Sequence, residues 1–384
     1  MPRNKLTNDP GQGYFLYHSI GQYPGKEAEL ATAMADFARV WAAPDDGQWG
    51  YIMQKRAAFI DCWRQVLNTP EGTTTTCESV TAGMHMLMRA LPEAMLKGKR
   101  VLVTADCFPS VHFLLAGLAP KMGFTLETVP LSEGKSWVET EDMIAHWDRD
   151  VALGLFTWVT SIASARCDAA ALTAHGHDMG SLVCADITQA AGLLPFDAHA
   201  LDLDFVLSTS LKWMCGTPGA GIIYVKEALL DDLSPEARGW FSQANPFSWD
   251  LDKFAYAPDA RRFDSGTPAA MAAVASLPAL QWHTRQDRDT LVSDNRRMVE
   301  RIIECADGLG LTLNSPRDAA KRGGSVMLRL PTAEDATAVV TTLAGEGVST
   351  DCRGQVLRLS PGHVSGAWAI EAAFDTMGRL LGRS

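Results

Sequence analysis

An aspartate and a lysine, each following a short apolar run, have the clearest capacity for chemistry in this chain of 384 residues. Asp186 closes the run at 182–185, and Lys212 follows the run at 205–207 and a few small polar residues. Such short runs are typical of buried parallel strands, although a buried helical turn would look similar at this length. Ligands of parallel α/β sheets bind at the carboxyl ends of the strands, so we expect both side chains at one ligand site.

The two residue types suit one cofactor in particular. A lysine amine forms a Schiff base with an aldehyde, and a carboxylate keeps a ring nitrogen protonated, which are the two functions that pyridoxal phosphate needs. The alternative is that Asp186 only caps a helix and that Lys212 is a surface charge. The apolar residues around Lys212 and the glycine-dense segment 216–221 favour the cofactor site.

The surrounding motifs resemble a known family. The element from Asp186 to Gln189, and Lys212 with its preceding Ser-Leu and following Gly-Thr-Pro-Gly, are similar to fold-type I pyridoxal-phosphate enzymes of the class V aminotransferase group. Kynureninase and its relatives are the most similar, from about Tyr14 to the last helix. The resemblance implies that Lys212 binds the cofactor aldehyde, that Asp186 pairs with the pyridine nitrogen, and that Gln189 lies near the phenolic oxygen.

The resemblance also implies the architecture. We expect an α/β fold of the fold-type I PLP-dependent transferases, with a mostly parallel seven-stranded sheet between helices and a smaller C-terminal α+β domain. The predicted divisions are an N-terminal arm and helix (1–45), a large cofactor-binding domain (46–255), and a connecting helix with the small domain (256–384). Helical periodicity at 26–43 and 53–67 predicts two early helices, with an interruption at 48–51.

Further cofactor contacts follow from the family correspondence. The loop at 73–80 leads into a helix whose N-terminus can hold a phosphate, although Ser79 or Glu78 could equally be a simple cap. Phe108 corresponds to the aromatic that stacks on the cofactor ring, and Thr267 to a residue that reaches the partner subunit's phosphate. The expected cofactor-binding set is Glu78, Ser79, Phe108, Thr160, Asp186, Gln189, Ser210, Lys212, Trp240 and Thr267.

Three residues are candidates for substrate contacts. Arg358 lies in an alternating segment, on the face opposite Leu357 and Leu359, and is surface charge by default. In the family, an arginine here grips the substrate α-carboxylate, for which the planar guanidinium is well shaped. His18 and Ser19 lie in an N-terminal loop that reaches the active site in related enzymes, although a lone loop histidine is more often simply exposed.

The resemblance predicts an enzyme that cleaves a β-substituted L-amino acid by Cβ–Cγ hydrolysis or by β-elimination. Two departures leave the reaction open, because Leu211 replaces a tyrosine of kynureninase and Gln189 replaces its histidine. The alternatives are a class V aminotransferase, a cysteine desulfurase-like C–S lyase, and a PLP-fold binding protein without catalysis. Desulfuration needs a cysteine on a mobile loop, and Cys352 lies only six residues before Arg358.

Net charge and cysteine content restrict the expected partners and cellular compartment. A net charge of −11 disfavours nucleic acid and anionic membranes as partners. The resemblance implies that the partners are a small amino acid substrate and a second copy of the chain, which forms a homodimer with a shared active site. Eight scattered cysteines without a CxxC pair, and an opening segment without a signal peptide, predict a reducing cytoplasm. His175 and His177 are two residues apart, on different helix faces, so we expect no metal.

Overall fold

Residues 11–383 are described by the computed structural model, and within them the chain forms two sheets flanked by helices. The helices are α1 (Lys26–Trp41), α2 (Gly47–Leu67), α3 (Val80–Met88), α4 (Glu93–Leu96), α5 (Pro109–Met122), α6 (Thr140–Ala145), α7 (Ala169–Met179), α8 (Ala270–Thr284), α9 (Arg288–Gly308), α10 (Ala333–Gly345) and α11 (Ala367–Leu381). The strands are β1 (Thr74–Cys77), β2 (Arg100–Thr104), β3 (Thr125–Val129), β4 (Val151–Thr157), β5 (Leu182–Asp186), β6 (Phe205–Thr209), β7 (Gly221–Val225), β8 (Thr312–Leu313), β9 (Val326–Arg329), β10 (Asp351–Arg353) and β11 (Val356–Leu359).

The larger sheet has seven strands in the order β1-β7-β6-β5-β4-β2-β3. Only β7 runs against its neighbours, and the pairs from β6 across to β3 are parallel, which confirms the predicted sheet. Strands β5 and β6 are adjacent, with Asp186 opposite Leu207 in the ladder. The two predicted strand ends therefore meet at one edge of the sheet.

Alternation along the strands divides the interior into two apolar layers. In β6, Val206 packs into one core cluster, whereas Phe205 and Leu207 pack into the other. Helices α2, α7 and α8 contribute to the first cluster, and α3 and α5 contribute to the second. Burial on both faces explains why β5 to β7 read as continuous apolar runs. No helix within 11–383 is long and apolar enough to cross a bilayer.

The smaller sheet is antiparallel, with the order β10-β11-β9-β8. Helices α9, α10 and α11 supply apolar side chains to its core. The N-terminal arm joins this part of the molecule, because Tyr14 bridges Ser349 and Leu16 bridges Ser360. Phe15 is fully buried in the same core. The arm thereby brings the segment around His18 next to the end of β11.

The predicted interruption between the first two helices is wrong, because α2 begins at Gly47 and continues through residues 48–51. Gly50 faces open space, so a glycine in this exposed turn weakens the helix without ending it. Trp49 remains 43% exposed and packs edge-on against Trp240, 5.6 Å between ring centroids. The local sequence pattern therefore misassigns residues 48–51, which are helical and make a tertiary contact through Trp49.

A buried ion pair fixes α2 to the larger sheet. Arg56 donates to Asp264 Oδ1 at 2.7 Å, and both side chains are about 4% exposed. Arg56 also donates to the hydroxyls of Thr75 and Thr76 in β1, at 2.7–3.0 Å. The pair also anchors the start of the segment that carries Thr267. Removal of one partner leaves the other charge buried without compensation, which is far more destabilising than loss of a surface pair.

We expect Arg56→Met to lower the free energy of unfolding by about 3–5 kcal/mol, because Asp264 becomes a buried unpaired carboxylate. Urea denaturation followed by circular dichroism measures this loss. The control is Arg39→Met, whose side chain is 73% exposed in a pair with Asp36 and whose loss should leave the midpoint unchanged. Equal midpoints for the two variants would contradict the anchoring role.

Candidate active site

The structure places Lys212 and Asp186 at the same edge of the larger sheet. Asp186 is the last residue of β5, and Lys212 lies three residues beyond the end of β6. Asp186 is only 4% exposed, and its Oδ1 accepts a hydrogen bond from the Thr188 amide at 3.0 Å. The lysine amine is close enough for the two charges to interact. The geometry therefore unites an amine and a carboxylate that the sequence separates.

Burial shifts both groups toward their neutral forms. It lowers the pKa of Lys212 to about 8, with Asp186 raising this pKa and Arg358 lowering it. It raises the pKa of Asp186, which the hydrogen bond from Thr188 and the charge of Lys212 oppose. Within residues 11–383, Lys212 Nζ has no hydrogen bond or ion pair. The lowered pKa favours the uncharged, nucleophilic form of this amine relative to that of an exposed lysine.

Two further residues border the amine and the carboxylate. The Phe108 ring centroid lies 5.3 Å from Lys212 Nζ, and the ring remains 44% exposed. An exposed aromatic ring beside the amine is a surface on which a planar group could stack. Gln189 is buried, and its Nε2 donates to the His18 carbonyl at 3.2 Å and to Ser161 Oγ at 3.3 Å. Gln189 thus links the β5 end to the N-terminal arm.

Arg358 is buried near Lys212 and is held by a carboxylate of its own chain. Its Nε donates to Asp351 Oδ1 at 2.7 Å, and its Nη2 donates to Asp351 Oδ2. Asp351 Oδ1 also accepts from His18 Nε2 at 2.9 Å, and His18 Nδ1 lies 2.7 Å from Ser360 Oγ. Within the described chain, Arg358 Nη1 has no hydrogen bond. The end of the guanidinium that carries Nη1 is therefore available to a second carboxylate.

The charges of this group fix its protonation. Burial lowers the pKa of His18 to about 4, against the raising effect of its hydrogen bond to Asp351. Burial also raises the pKa of Asp351, but hydrogen bonds from His18 and Arg358 outweigh that effect and hold it well below its usual range. His18 is therefore neutral, with its Nε2 proton directed at Asp351 and Nδ1 accepting from Ser360. The predicted contact residue His18 is a buried member of this network.

Sequence reasoning missed Asp351 and Ser161. Asp351 lies directly opposite Arg358 in the β10–β11 ladder. Gly354, with φ of 54°, sits in the turn between the strands. A charged pair flanking a glycine turn was a usable signal, since opposite residues of an antiparallel hairpin share one face. Ser161 carries no comparable signal, because only the folded loop after β4 brings it to Gln189.

Several predicted cofactor contacts have local hydrogen-bonding roles. Ser79 Oγ accepts from the Ala82 amide at 3.1 Å and caps α3, while Glu78 is exposed. Thr160 Oγ1 accepts from the Ala165 amide at 3.1 Å. Ser210 is fully buried, where it donates to the Ala220 carbonyl and accepts from Trp63 Nε1. Their roles as cofactor contacts remain predictions. Ser210 is the most deeply buried of these residues, and its hydroxyl already has two hydrogen-bonding partners within the protein.

Three of the predicted contact residues lie at the edge of the candidate site: Trp240, Thr267 and Ser19. The segments of Trp240 and Thr267 are neighbours, because the Phe241 amide donates to the Ser265 carbonyl at 3.3 Å. Thr267 is exposed, and Ser19 is partly exposed beside His18. Within one chain, across residues 11–383, none of these three side chains forms a hydrogen bond or ring contact with Lys212, Asp186 or Phe108. Their predicted contacts would require a bound ligand or a second subunit.

Comparisons with known proteins identify the family of the chain. A family model described as aminotransferase class-V matches residues 59–356. The chain is 31% identical to a kynureninase of Deinococcus radiodurans over 258 residues, covering 65% of this chain and 60% of the relative. It is 27% identical to a kynureninase of Pseudomonas fluorescens over 369 residues, covering 91% of this chain and 84% of that protein.

A solved structure supports the fold alone. The apo cysteine desulfurase of Thermococcus onnurineus NA1 matches with a TM-score of 0.84 and 18% sequence identity, covering 96% of this chain and 94% of that chain. At this level of identity the likeness concerns the backbone arrangement. It agrees with the predicted architecture of a seven-stranded, mostly parallel sheet joined to a smaller C-terminal sheet.

The low pKa of Lys212 predicts unusual reactivity of its amine. In protein freed of small-molecule ligands, we expect reductive methylation of Lys212 by formaldehyde to rise with pH around a midpoint near 8, because only the unprotonated amine attacks. Mass spectrometry of the Lys212 peptide measures the rate. Asp186→Asn should move the midpoint downward, since the aspartate charge favours the protonated amine. A midpoint near 10.5 in both proteins would contradict the burial of the amine.

Proposed function

Because this chain belongs to the aminotransferase class-V family and its cofactor is pyridoxal 5′-phosphate, we propose that it is a kynureninase-like enzyme acting on a β-substituted L-amino acid. The proposed reaction is Cβ–Cγ hydrolysis or β-elimination. One observation carries the proposal: a lysine amine and a buried carboxylate meet at adjoining strand ends, beside a buried arginine with one free end.

The residues present fit the cofactor. Lys212 offers an amine without a hydrogen-bonding partner in the described chain, and Phe108 offers a partly exposed ring beside it. Asp186 offers a buried carboxylate that a cationic ring nitrogen would compensate, because burial alone disfavours its charge. When bound, pyridoxal phosphate supplies an aldehyde that accepts amines and a ring that withdraws electrons from the substrate.

The protein residues then orient the substrate and move its proton. Arg358 binds the α-carboxylate through the end of its guanidinium that carries Nη1, which Asp351 leaves free. The two hydrogen bonds to Asp351 fix the orientation of the guanidinium plane. A carboxylate fixed there presents the α-carbon to the strand ends, where Lys212 lies. The pKa of about 8 allows the Lys212 amine to take the α-proton and return it elsewhere.

A sulfur-transfer reaction has less support. Cys352 lies in β10, where it pairs with Leu357, and its side chain packs against the small-domain core. It is therefore on the opposite face from Asp351 and Arg358. Cys107 lies near Asp186, but burial raises its pKa to about 12 and keeps it a thiol. Within residues 11–383, no cysteine combines a mobile loop with an activating environment.

We further propose a homodimer with a shared active site, in the cytoplasm. Phe247, Trp249 and Leu251 are 70%, 77% and 98% exposed in a single chain, and Phe247 contacts Trp240. Such an apolar surface favours burial against a second copy, which would bring Thr267 toward the partner's site. The eight cysteines are free thiols, which fits a reducing compartment.

Product identification tests the proposed reaction. The protein with bound cofactor should convert at least one of kynurenine, 3-hydroxykynurenine, aspartate or cysteine sulfinate, with cleavage of the side chain and release of the three-carbon product. Lys212→Ala should reduce kcat by at least about 10³-fold, because both the cofactor linkage and the base are lost. If the only products are a keto acid and the pyridoxamine form, the enzyme is instead an aminotransferase.

Arg358 provides a test of substrate orientation. We expect Arg358→Lys to lower kcat/KM by about 10–100-fold, because lysine keeps the charge but not the two-pronged geometry. The control is Arg353→Lys, whose side chain is 63% exposed on the neighbouring strand and should have no effect. Unchanged kcat/KM in Arg358→Lys, measured on the substrate found in the product screen, would place the carboxylate contact elsewhere.

A further inference from the structure

Three atoms suited to a soft metal converge beneath the loop that carries Lys212. The Cys215 thiol, one ring nitrogen of His283 and one ring nitrogen of His363 all lie within 4.8 Å of one another. Cys215 lies three residues after Lys212, and His283 lies in the last turn of α8. His363 lies between β11 and α11. The three residues come from the larger sheet, the connecting helix and the smaller domain.

Each histidine of the cluster has a ring nitrogen without a hydrogen-bonding partner. The Nε2 atoms of His283 and His363 are buried and have no hydrogen-bonding partner within the described residues. His283 is only 5% exposed as a whole residue. Buried polar atoms are almost always paired, so two orphaned imidazole nitrogens beside one thiol require an explanation.

The backbone of Trp213 lies close to the His283 ring, two residues before Cys215 in the chain. Metal-binding histidines are commonly oriented by an acceptor at the ring nitrogen that does not bind the metal. The Trp213 carbonyl is a candidate for that role.

Packing explains why the two histidine rings are buried, but it does not explain why their Nε2 atoms lack hydrogen-bonding partners. The His363 ring lies 4.6 Å from the Trp282 ring and 5.7 Å from the Tyr17 ring, and the two histidine rings are 5.5 Å apart. These contacts bury the ring surfaces and give no hydrogen bond to either Nε2. Cys215 Sγ lies 3.3 Å from the Gln22 carbonyl and 3.4 Å from the Trp213 carbonyl, so the thiol has weak acceptors. Only the imidazoles lack partners.

A cavity borders one of the three residues. His363 lines a cavity of about 390 Å³ whose wall also includes Leu193, Asp294 and Asn295. Zinc bound at about 2.0–2.3 Å from sulfur and nitrogen needs its ligand atoms somewhat closer than their present spread, and His363 is the half-buried member whose movement would bring them together. In a zinc site here, water from this cavity would supply the fourth ligand.

We propose that Cys215, His283 and His363 form a binding site for Zn²⁺, with water as the fourth ligand. One thiolate and two imidazoles are a ligand set that zinc favours. Binding forms one Zn–S and two Zn–N bonds, and the thiol proton is released to solvent. The ion would join three separate parts of the chain and hold the loop that follows Lys212. The site is independent of the proposed reaction.

Zinc binding by the purified, cofactor-loaded protein tests the site. After removal of metals with a chelator and addition of ZnCl₂, we expect about one zinc per chain by mass spectrometry after gel filtration. His363→Gln and Cys215→Ser should each weaken zinc affinity at least about tenfold, as losses of metal ligands do. Matched controls are His175→Gln, whose ring bonds the Trp147 carbonyl, and Cys305→Ser on α9, both with unchanged affinity.

A spectroscopic measurement separates this site from adventitious binding. Co²⁺ in place of zinc should give a near-ultraviolet sulfur-to-metal band in the unmodified protein and in Cys305→Ser, and no such band in Cys215→Ser. Cys215 has φ of 57°, so circular dichroism must show that its variant is folded. If it is not, the half-buried His363→Gln decides the question through zinc affinity. Absence of stoichiometric zinc, or equal zinc affinity in ligand and control variants, would overturn the proposal.

Discussion

The desolvated amine of Lys212 beside the buried carboxylate of Asp186 is the interaction on which the site depends. Neither charge is favourable in the interior alone, and each shifts the other toward its ionised form. The parallel pairing of β5 and β6 sets their separation, because the two strands end at the same edge. The two-sided core keeps those strands in register, so the chemistry rests on apolar packing several residues away.

A second pair of opposite charges lies near Lys212. Arg358 and Asp351 compensate each other on the hairpin of the smaller sheet, and a neutral His18 connects them to the N-terminal arm. In the proposed function, this arrangement would orient the guanidinium before the substrate binds and so reduce the ordering that binding must supply. It also ties the arm to both sheets, since Gln189 at the end of β5 donates to the His18 carbonyl.

The comparisons match proteins with different reactions. The sequence is similar to kynureninases and also to a probable cysteine desulfurase, and the backbone superimposes well on a cysteine desulfurase at low identity. The fold therefore does not distinguish between these reactions. Cys352 lies in a strand and faces the core of the smaller sheet, and our preference for a reaction without sulfur transfer rests on this observation. The fold provides the lysine, the carboxylate and the arginine, and the side chains around them select the reaction.

Apolar runs indicated the strands that precede Asp186 and Lys212, and helical periodicity indicated several helices. The seven-stranded sheet followed from the family resemblance, because local patterns do not specify strand order. They failed at 48–51, where an exposed Gly50 does not end α2 and Trp49 packs on a distant ring. Only the tertiary structure placed Asp351 against both Arg358 and His18, and Ser161 against Gln189. It alone joined Cys215, His283 and His363, which no sequence spacing relates. Sequence by itself determined which residues could react, and the folded chain decided which partners set their charge, because electrostatic interactions depend on distance in space and on burial.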